Sequence, residues 1–422
     1  MIWTRVSSSS GLSTAGVVMP EERLSWPRTI GIGLQHVVAM FGATVLVPLL
    51  TGFPPATTIL FSGVGTLVFL LVVRNRVPSY LGSSFAFIAP VIAAQTQGGI
   101  PAALGGIAAA GLVFFLVGVL VERFGFRLID VLMPPVVTGA IVALIGLNLA
   151  PVARDSFAKQ PAVAGVTLVA ILAIGVLVRG FLGRLSIVLG VVAGYAFAVA
   201  RGQVDMSAVG QAAWFGLPQL QCPVFDGRAI LLIVPVVVVL IAENTGHVKA
   251  VATMTERNLD RSLGRAYMGD GLATMIAGLC GGSGTTTYAE NIGVMAATRV
   301  YSTAAYFVAA LTAIALGLCP RFGALVGTIP PGVLGGATTI LYGMIAVLGA
   351  RIWVEARVDF RDPVNLMTAA IAIVMGAANY TLHVGGYEFN GITLGAFGGI
   401  VIYQVLRRLS PPIAPRAAAE GK

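Results

Sequence analysis

Two ionisable residues stand one helical turn apart inside a strongly apolar stretch, I-A-E-N-T-G-H-V at 241–248. The i, i+4 spacing of Glu243 and His247 places both side chains on one face of a helix and within reach of each other. A carboxyl group removed from water favours its neutral form, and an imidazole exchanges protons near neutral pH. The pair is therefore a candidate proton-binding site, although a buried clamp with a structural role fits the same spacing.

A second carboxylate, Glu290, follows a short polar stretch between apolar segments, T-T-T-Y-A at 285–289. Ionisable groups at membrane depth are rare and costly, and they are functional candidates by default. Carboxylates accept hydrogen bonds and backbone N–H groups donate them, so the expected ligand is a small planar solute with alternating donors and acceptors. Three aromatic residues would form flat apolar walls for such a ring: Phe85, Tyr288 and Tyr342.

Three further polar residues interrupt apolar segments: Gln35, His36 and Asp270. Gln35 and His36 either contribute to the ligand site or satisfy backbone groups of broken segments nearby. For Asp270, a helix-bracing role and a functional role are both open. The three cysteines (Cys222, Cys280 and Cys319) lack the spacing of a metal site and are expected to be small apolar fillers. We expect neither a metal nor a cofactor.

The elements that hold these residues must cross a membrane. Charged residues make up 10% of the chain and hydrophobic residues 57%, whereas a soluble domain carries about 25% charge. Apolar runs of about 20 residues, the length that spans a bilayer, recur along the chain. They predict an all-α membrane protein with 14 transmembrane segments: 29–50, 56–73, 80–96, 102–121, 133–150, 162–178, 185–200, 229–249, 264–280, 284–298, 301–319, 330–349, 363–379 and 389–406.

The distribution of basic residues predicts the orientation of these segments. With both termini in the cytoplasm, all but five of the 26 Lys and Arg residues fall in inward connections. The exceptions are Arg154, Lys159, Arg201, Arg228 and Arg321. Such an excess is typical of cytoplasmic loops, so the net charge of +9 does not indicate nucleic acid. The expected location is the cytoplasmic (inner) membrane.

The polar parts of the chain leave little room for an enzyme. Residues 1–27 are Ser-rich, lack the apolar core of a signal peptide, and are predicted to be a flexible cytoplasmic lead. The longest polar connection, about 201–228, is too short for a soluble domain, and the phosphate-binding pattern G-x-x-x-x-G-K-[ST] is absent. A membrane-embedded enzyme would need a metal cluster or an activated nucleophile, and neither is recognisable. We expect a transporter.

Two pairs of segments resemble each other within the chain. Met133–Ala140 and Ile329–Gly336 share a Pro-Pro start, and each follows an Arg-Phe-Gly triplet. Ser83–Phe87 and Thr286–Glu290 share hydroxyl, hydroxyl, aromatic and alanine in order. Both pairs are seven segments apart, and an odd offset reverses direction in the membrane. Chance similarity explains one pair more easily than two. The sequence thus predicts two inverted seven-segment repeats, which are typical of secondary transporters rather than channels.

Segments 3 and 10 contain stretches with the composition of strands. Gly82–Phe87 and Gly284–Ala289 are rich in β-branched, aromatic and hydroxyl residues, which favours extended backbone. Extended backbone at membrane depth needs partners for its N–H and C=O groups. We predict that the two stretches pair as short antiparallel strands near the midplane. Each would lead into a half-helix whose N-terminus carries partial positive charge.

The ten residues E-N-I-G-V-M-A-A-T-R at 290–299 resemble the signature of the nucleobase–ascorbate transporters, the second nucleobase:cation symporter family. Leu34–His36, Ser83–Phe87 and Ala242–His247 also resemble their family counterparts, and the similarity extends from about residue 20 to 408. Within the family, the chain is most similar to bacterial uracil and pyrimidine permeases, especially that of uracil degradation. The stretches G-V-V-M-P-E-E-R-L (16–24) and A-A-W-F-G-L-P (212–218) carry this narrower resemblance.

The resemblance implies a proton-coupled symporter that imports uracil, with thymine and, at lower affinity, xanthine as further candidate substrates. A purine (xanthine or uric acid) or broad-range nucleobase symporter is the alternative. Implied partners are the nucleobase, protons and the lipid bilayer, with a homodimer and no nucleic acid. The implied division of the chain is an N-terminus (1–27), a core domain (28–132 and 228–328), a gate domain (133–227 and 329–408) and a cytoplasmic tail (409–422).

The resemblance also implies how the ring is bound. Carried over by position, Glu243 and Glu290 would accept hydrogen bonds from the N–H groups of uracil. The backbone amides of Phe85 and Ala289 would reach its carbonyl oxygens. Related purine carriers commonly have Gln where this chain has Glu290, so Glu favours a pyrimidine. Other members have Gly or Ser where Ala289 stands, and the added methyl group would trim the pocket without removing the N–H group.

The remaining implied roles concern the proton and the pocket walls. His247 would form a hydrogen bond near Glu243 and help to couple the proton. Tyr288 and Tyr342 would line the pocket. The family also implies a supporting polar network: Gln35, His36, Ser84, Asp270, Asn291, Thr298 and Arg299.

Overall fold

The computed structural model describes residues 3–6, 16–125, 127–384 and 387–410, most of them helical. Residues 411–422 of the predicted tail, and 1–2 and 7–15 of the predicted lead, lie outside this described part. The helices before residue 212 are α1 (Trp26–Thr51), α2 (Pro55–Val72), α3 (Ile88–Phe124), α4 (Arg127–Leu132), α5 (Pro135–Asn148), α6 (Ala150–Lys159), α7 (Pro161–Leu177), α8 (Phe181–Arg184), α9 (Ser186–Ala200) and α10 (Ser207–Gln211).

The later helices and the strands complete the fold. The helices are α11 (Gly227–Ile233), α12 (Val236–Thr255), α13 (Leu263–Cys280), α14 (Ala289–Thr298), α15 (Thr303–Gly317), α16 (Pro320–Gly327), α17 (Pro331–Glu355), α18 (Pro363–Ala377) and α19 (Gly391–Leu409). The two-stranded sheets are β1 (Thr4–Arg5) with β2 (Glu22–Arg23), β3 (Leu81–Ser83) with β4 (Thr285–Thr287), and β5 (Leu382–Val384) with β6 (Tyr387–Phe389).

Many of the described helices are long and apolar enough to cross a membrane. Seven helical stretches qualify by length and composition, namely α1, α2, α3, α17, α19 and the consecutive pairs α5–α6 and α11–α12. The pair α15–α16, bent by 83°, is an eighth if it counts as one span, and α7, α9 and α18 are shorter apolar helices. The predicted membrane-spanning, mostly helical class is confirmed. The number of 14 crossings stays a prediction.

A sharp break divides α3 between the third and fourth predicted segments. Gly99 adopts φ +71°, in the left-handed region that glycine tolerates. Pro101 follows, and a proline nitrogen has no hydrogen to donate to the helix. The chain therefore changes direction here without leaving helical structure on either side.

The predicted pairing of two short strands is confirmed. β3 and β4 are antiparallel, with Leu81 opposite Thr287 and Ser83 opposite Thr285. All six strand residues are buried, so the ladder supplies the hydrogen-bond partners that backbone needs away from water.

The two halves of the chain begin their strands with the same hydrogen bond. The N–H group of Leu81, the first residue of β3, donates to Thr66 Oγ1 on α2 at 2.9 Å. The N–H group of Thr285, the first residue of β4, donates to Thr274 Oγ1 on α13 at 3.0 Å. The helix before each strand thus supplies an equivalent hydroxyl, which supports the predicted repeat.

Helix packing follows the same inverted relation. In the predicted repeat, α2 corresponds to α13 and the later part of α3 corresponds to α15. Accordingly, α2 packs on α15 in the same way as α13 packs on α3. Likewise, α7 packs on α9 and the corresponding helix α18 packs on α19. The helix pairs with the most extensive contacts each lie within one of two groups. The first group contains α1–α3 and α11–α16, and the second contains α5–α9 and α17–α19.

Residues 16–25 lie along the link between α14 and α15. The N–H group of Val18 donates to the carbonyl of Arg299 at 3.0 Å. Glu21 forms an ion pair with Arg257 beyond the end of α12, and this guanidinium lowers the pKa of the Glu21 carboxyl group. These contacts fall within the stretch predicted to be flexible, and its flexibility stays a prediction.

Glycine residues let α3 and α13 approach each other at backbone distance. A Cβ atom at Gly271 would lie 2.4 Å from the backbone nitrogen of Phe115, and one at Gly111 would lie 2.4 Å from that of Met275. Small residues permit such close packing in membranes, where helices gain little from hydrophobic association.

We predict that Gly271→Ala destabilises the purified protein by about 1–3 kcal/mol, because the new methyl group meets backbone rather than a flexible side chain. The measurement is the midpoint of thermal unfolding in detergent. The matched control is Gly165→Ala on α7, where a Cβ meets nothing within 4 Å. Equal midpoints for the two variants would contradict this account of the α3–α13 contact.

Candidate functional site

The paired strands β3 and β4 form the floor of the site. The ladder extends by one bond at each end, from Ser84 N–H to Gly284 O at 2.9 Å and from Tyr288 N–H to Tyr80 O at 3.1 Å. Beyond these bonds each chain enters a helix, a 3-10 turn at Phe85–Phe87 and α14 from Ala289.

Phe85 and Ala289 therefore stand at the first positions of two helical elements. N–H groups at a helix start have no partner within that helix and carry partial positive charge. The predicted strand-to-helix transitions are thus present in both halves. They place two donors near the ends of one strand pair.

The two predicted carboxylates lie within electrostatic range of each other. Glu243 on α12 and Glu290 in the first turn of α14 are both half-buried, and the charge of Glu290 acts on Glu243. The hydroxyl groups of Thr286 and Ser84 are in hydrogen-bonding reach of the Glu243 carboxylate. Glu243 thus lies beside both strand segments, since Thr286 is the middle residue of β4 and Ser84 follows β3.

His247 lies one turn beyond Glu243 on α12, and its hydrogen bond is formed with β4. Its Nδ1 atom is 2.8 Å from Thr287 Oγ1, and the tautomer decides which of the two atoms donates. The resemblance predicts a hydrogen bond near Glu243, whereas the bond described is with Thr287. The strand is therefore what orients the ring.

A buried hydrogen-bond chain continues from His247 into the protein. Thr287 Oγ1 donates to Asn244 Oδ1 at 3.3 Å, and Asn244 Nδ2 donates to Asp270 Oδ2 at 2.8 Å. Thr285 Oγ1 donates to the other oxygen of Asp270 at 2.7 Å. Asp270 has no exposed surface. It is thus a brace for β4, in continuous hydrogen-bond contact with His247.

The sequence did not single out the partners that complete these interactions. Asn244 connects the histidine to the buried carboxylate, and Thr66 and Thr274 hold the strand starts. The available signal for Asn244 was an amide beside Glu243 within an apolar segment. Single threonines carry no such signal, because a threonine in a membrane helix commonly bonds its own backbone.

The aromatic residues occupy two different environments. Tyr288 is 3% exposed. Its ring covers Gly82, where a Cβ atom would lie 2.3 Å from the ring, and its hydroxyl donates to the Ser83 carbonyl at 2.9 Å. By contrast, the half-buried Phe85 meets Tyr342 edge to face, with ring centres 6.0 Å apart. This second contact joins the two helix groups.

Gln35 and His36 lie behind α14. Asn291 Nδ2 donates to the His36 carbonyl at 3.0 Å and lies 3.1 Å from His36 Nδ1. The His36 ring packs on Tyr306 with centres 4.2 Å apart. In the described part of the chain, Gln35 Oε1 and His36 Nε2 are buried without a hydrogen-bond partner. The cluster attaches α14 to α1 and α15.

Thr298 and Arg299 are at the end of α14 opposite to Glu290. Thr298 Oγ1 accepts the N–H group of Val300 at 3.3 Å, and Arg299 ends the helix with φ +56°. The structure thus places these two members of the predicted network at a helix terminus and does not bring them to the carboxylates.

The space beside Glu290 is narrow. It measures about 20 Å³ and is bordered by α1 and by the start of α9, where Leu185, Ile187 and Val188 lie. This volume accommodates about one water molecule. A larger cavity of about 440 Å³ lies between α5–α6 and α17, with Tyr342 on its wall, but neither carboxylate borders it. In this conformation the second helix group therefore covers Glu290.

We predict that Thr287→Val changes the environment of His247 alone among the three histidines, because it removes the only hydroxyl described next to this ring. The measurement is the ¹⁵N chemical shift of the imidazole nitrogens in isotope-labelled protein. Thr287→Ser is the matched control and should leave the shift unchanged. A shift that is the same in Thr287→Val and in the natural chain would contradict the described bond.

Comparisons with known proteins agree on one family. Residues 27–385 match the protein family described as the Permease family. A protein of Escherichia coli (strain K12) named putative pyrimidine permease RutG is 49% identical over 98% of this chain and 96% of its own length. The uracil permease of Bacillus caldolyticus is 41% identical over 94% of this chain and 95% of its own.

A solved structure shares the fold. The transmembrane domain of the cyanobacterial bicarbonate transporter BicA matches 89% of this chain and 96% of its own, with a TM-score of 0.63 and 15% identity. At that identity the similarity concerns architecture alone.

Proposed function

The chain belongs to the Permease family, and we propose that it is a symporter that imports uracil together with protons across the cytoplasmic membrane. Its membrane-spanning helices and its family make it a multi-pass membrane protein that transports a solute. The proposal of uracil is supported by relatives named pyrimidine permease and uracil permease, which match nearly the whole chain.

The observation that carries the proposal is the placement of two carboxylates beside one buried strand pair, Glu243 near Thr286 and Ser84 and Glu290 in the first turn after β4. Uracil carries two ring N–H donors and two carbonyl acceptors on one flat ring. Glu243 and Glu290 offer acceptors for the donors, while the N–H groups of Phe85 and Ala289 offer donors for the carbonyls. Hydrogen bonds to charged groups contribute about 1.5–3 kcal/mol each. The two carboxylates and the two N–H groups would therefore bind most tightly a ring whose donors and acceptors alternate in the matching order.

The proton is proposed to bind within the same polar cluster. His247 extends this cluster through Thr287 and Asn244 to Asp270. Uracil is neutral, so the proton is the only charged species that the protein carries across the membrane, and the membrane potential acts on that charge.

Transport requires that the site opens to each side in turn. We propose that the first helix group is the core domain (28–132 and 228–328) and the second is the gate domain (133–227 and 329–408). Supporting observations are the cover that α9 places on Glu290 and the contact of Phe85 with Tyr342. Movement between the groups would separate these contacts. The homodimer and the cytoplasmic placement of both termini belong to the same proposal.

A purine or broad-range carrier is the alternative within transport. The methyl group of Ala289 sits at the first turn of α14, where a bicyclic ring would need more room than a pyrimidine. Competition for labelled uracil uptake by an equal concentration of xanthine separates the two substrates. Inhibition by half or more would favour the alternative.

We predict that Glu290→Gln and Glu243→Gln each weaken uracil binding about 10- to 100-fold, because each replaces a charged acceptor by a neutral one. Equilibrium binding of labelled uracil to the purified protein is the measurement. Glu355→Gln is the control, since Glu355 is exposed and paired with Arg351. Unchanged uracil affinity in both site variants would refute the assignment.

We further predict that His247→Ala reduces uptake driven by a pH gradient at least tenfold while uracil affinity changes less than threefold, since the ring belongs to the proton pathway rather than to the uracil contacts. Proteoliposomes with an imposed pH gradient and a panel of nucleobases provide the measurement. Counterflow without a gradient serves as the control for an intact carrier. The reverse pattern, with lost affinity and intact coupling, would remove His247 from the proton pathway.

A further inference from the structure

An apolar surface segment connects α10 to α11. Residues 212–225 carry no charged side chain and contain the stretch A-A-W-F-G-L-P. The exposed fractions are 72% for Trp214, 79% for Phe215 and 78% for Leu217, and Phe225 is also exposed. A contiguous run of this kind on a protein surface marks contact with another apolar phase.

This segment is held in place by its backbone. The Gly216 N–H group donates to the Leu318 carbonyl at 3.0 Å, and Val224 N–H donates to the Pro101 carbonyl at 2.8 Å. Thr57 Oγ1 on α2 donates to the Gln219 carbonyl at 2.7 Å. The main chain of this segment is therefore hydrogen-bonded to helices of the first group. The large side chains are left facing outward.

The position of α16 gives the level of the segment in the membrane. α16 is bent by 83° from α15, so it runs close to the membrane plane if α15 crosses the membrane. The Arg321 guanidinium in the first turn of α16 lies 4.5 Å from the centre of the Trp214 ring. The backbone N–H group of Arg321 donates to the Ala213 carbonyl at 3.0 Å. Trp214 thus stands at the height where the helix bundle ends.

We propose that residues 212–225 are a membrane-surface anchor that inserts Trp214, Phe215 and Leu217 into the headgroup region of the bilayer. Tryptophan is enriched at this level because its ring is apolar and its N–H group is polar. Arg321 places a cation against the tryptophan ring while its Nε donates to the Val209 carbonyl at 2.9 Å, so the ring and the charge are held together at the end of the bundle.

Lipid fits this surface better than a soluble partner does. The segment offers no charged side chain, and its apolar residues lie beside helix ends that already require a bilayer. Lipid contact needs apolar area and depth rather than a specific pattern of charges. The inference depends on the placement of the segment and is independent of which solute the protein carries.

The test uses tryptophan fluorescence in vesicles. The chain has four tryptophans, and Trp3→Phe, Trp26→Phe and Trp353→Phe together leave Trp214 as the only one. The variant is placed in phosphatidylcholine vesicles that carry bromine either near the headgroup end or near the methyl end of one acyl chain. We expect bromine near the headgroup to remove about half of the emission or more, and bromine at the methyl end to remove much less.

A matched variant reports a tryptophan in water. It carries the same three substitutions together with Trp214→Phe and Gln203→Trp, because Gln203 is exposed in the polar turn after α9. Its emission should respond to aqueous iodide and not to brominated lipid. If the triple variant fails to fold, the difference in emission between the natural chain and Trp214→Phe in the same vesicles reports the same residue.

Two results would overturn the proposal. Quenching of Trp214 by iodide with none by either brominated lipid would place the segment in water, where a soluble partner or a second copy of the chain becomes the occupant to seek. Stronger quenching by bromine at the methyl end would place it in the hydrocarbon core.

Loss of headgroup quenching in Phe215→Asp combined with Leu217→Asp would support the anchor. Uracil uptake is measured separately, and its outcome neither supports nor overturns the anchor.

Discussion

Unpaired backbone at membrane depth costs several kcal/mol per group, and the pairing of β3 with β4 removes this cost where two spans are broken. Every element of the candidate site depends on that pairing. It allows two helical elements to begin inside the protein, at Phe85 and Ala289. It also aligns the threonines of β4 with α12 and α13. The binding groups are thus a consequence of how the break is stabilised.

The two halves share this scaffold and differ in its chemistry. Thr66 and Thr274 bind the starts of the two strands in the same way. Four residues before each of them, the first half has Ser62 and the second half has Asp270. Ser62 bonds to the Tyr80 hydroxyl at 2.8 Å, whereas Asp270 anchors the chain that leads to His247. Ionisable groups are therefore concentrated on the side of α12–α14, and the other half supplies geometry.

Close helix packing within each group fits the movement between the groups that we propose. α3 and α13 touch at glycines, where backbone meets backbone. Between the groups, the contacts near the site are side chains such as Phe85 and Tyr342 or the apolar residues that cover Glu290. Side-chain contacts separate more easily than glycine-mediated backbone contacts, so the boundary that crosses the site is the natural place for motion.

Sequence alone was sufficient for the membrane-spanning helical class and the strand pair, and it singled out the two carboxylates as candidates. Apolar length, β-branched composition and charge placement are local properties, and each follows from the cost of placing polar groups in lipid. The inverted relation was also readable, because both pairs of similar segments kept the same offset.

Tertiary structure decided which polar groups meet. The sequence placed His247 beside Glu243, but the fold bonds its ring to Thr287. It grouped Thr298 and Arg299 with Glu290, but α14 separates them by its whole length. It offered Tyr288 as a pocket wall, and the structure packs that ring over Gly82. Partners across the chain depend on register and on which helix face turns inward. These depend on contacts between distant segments, which no local pattern encodes.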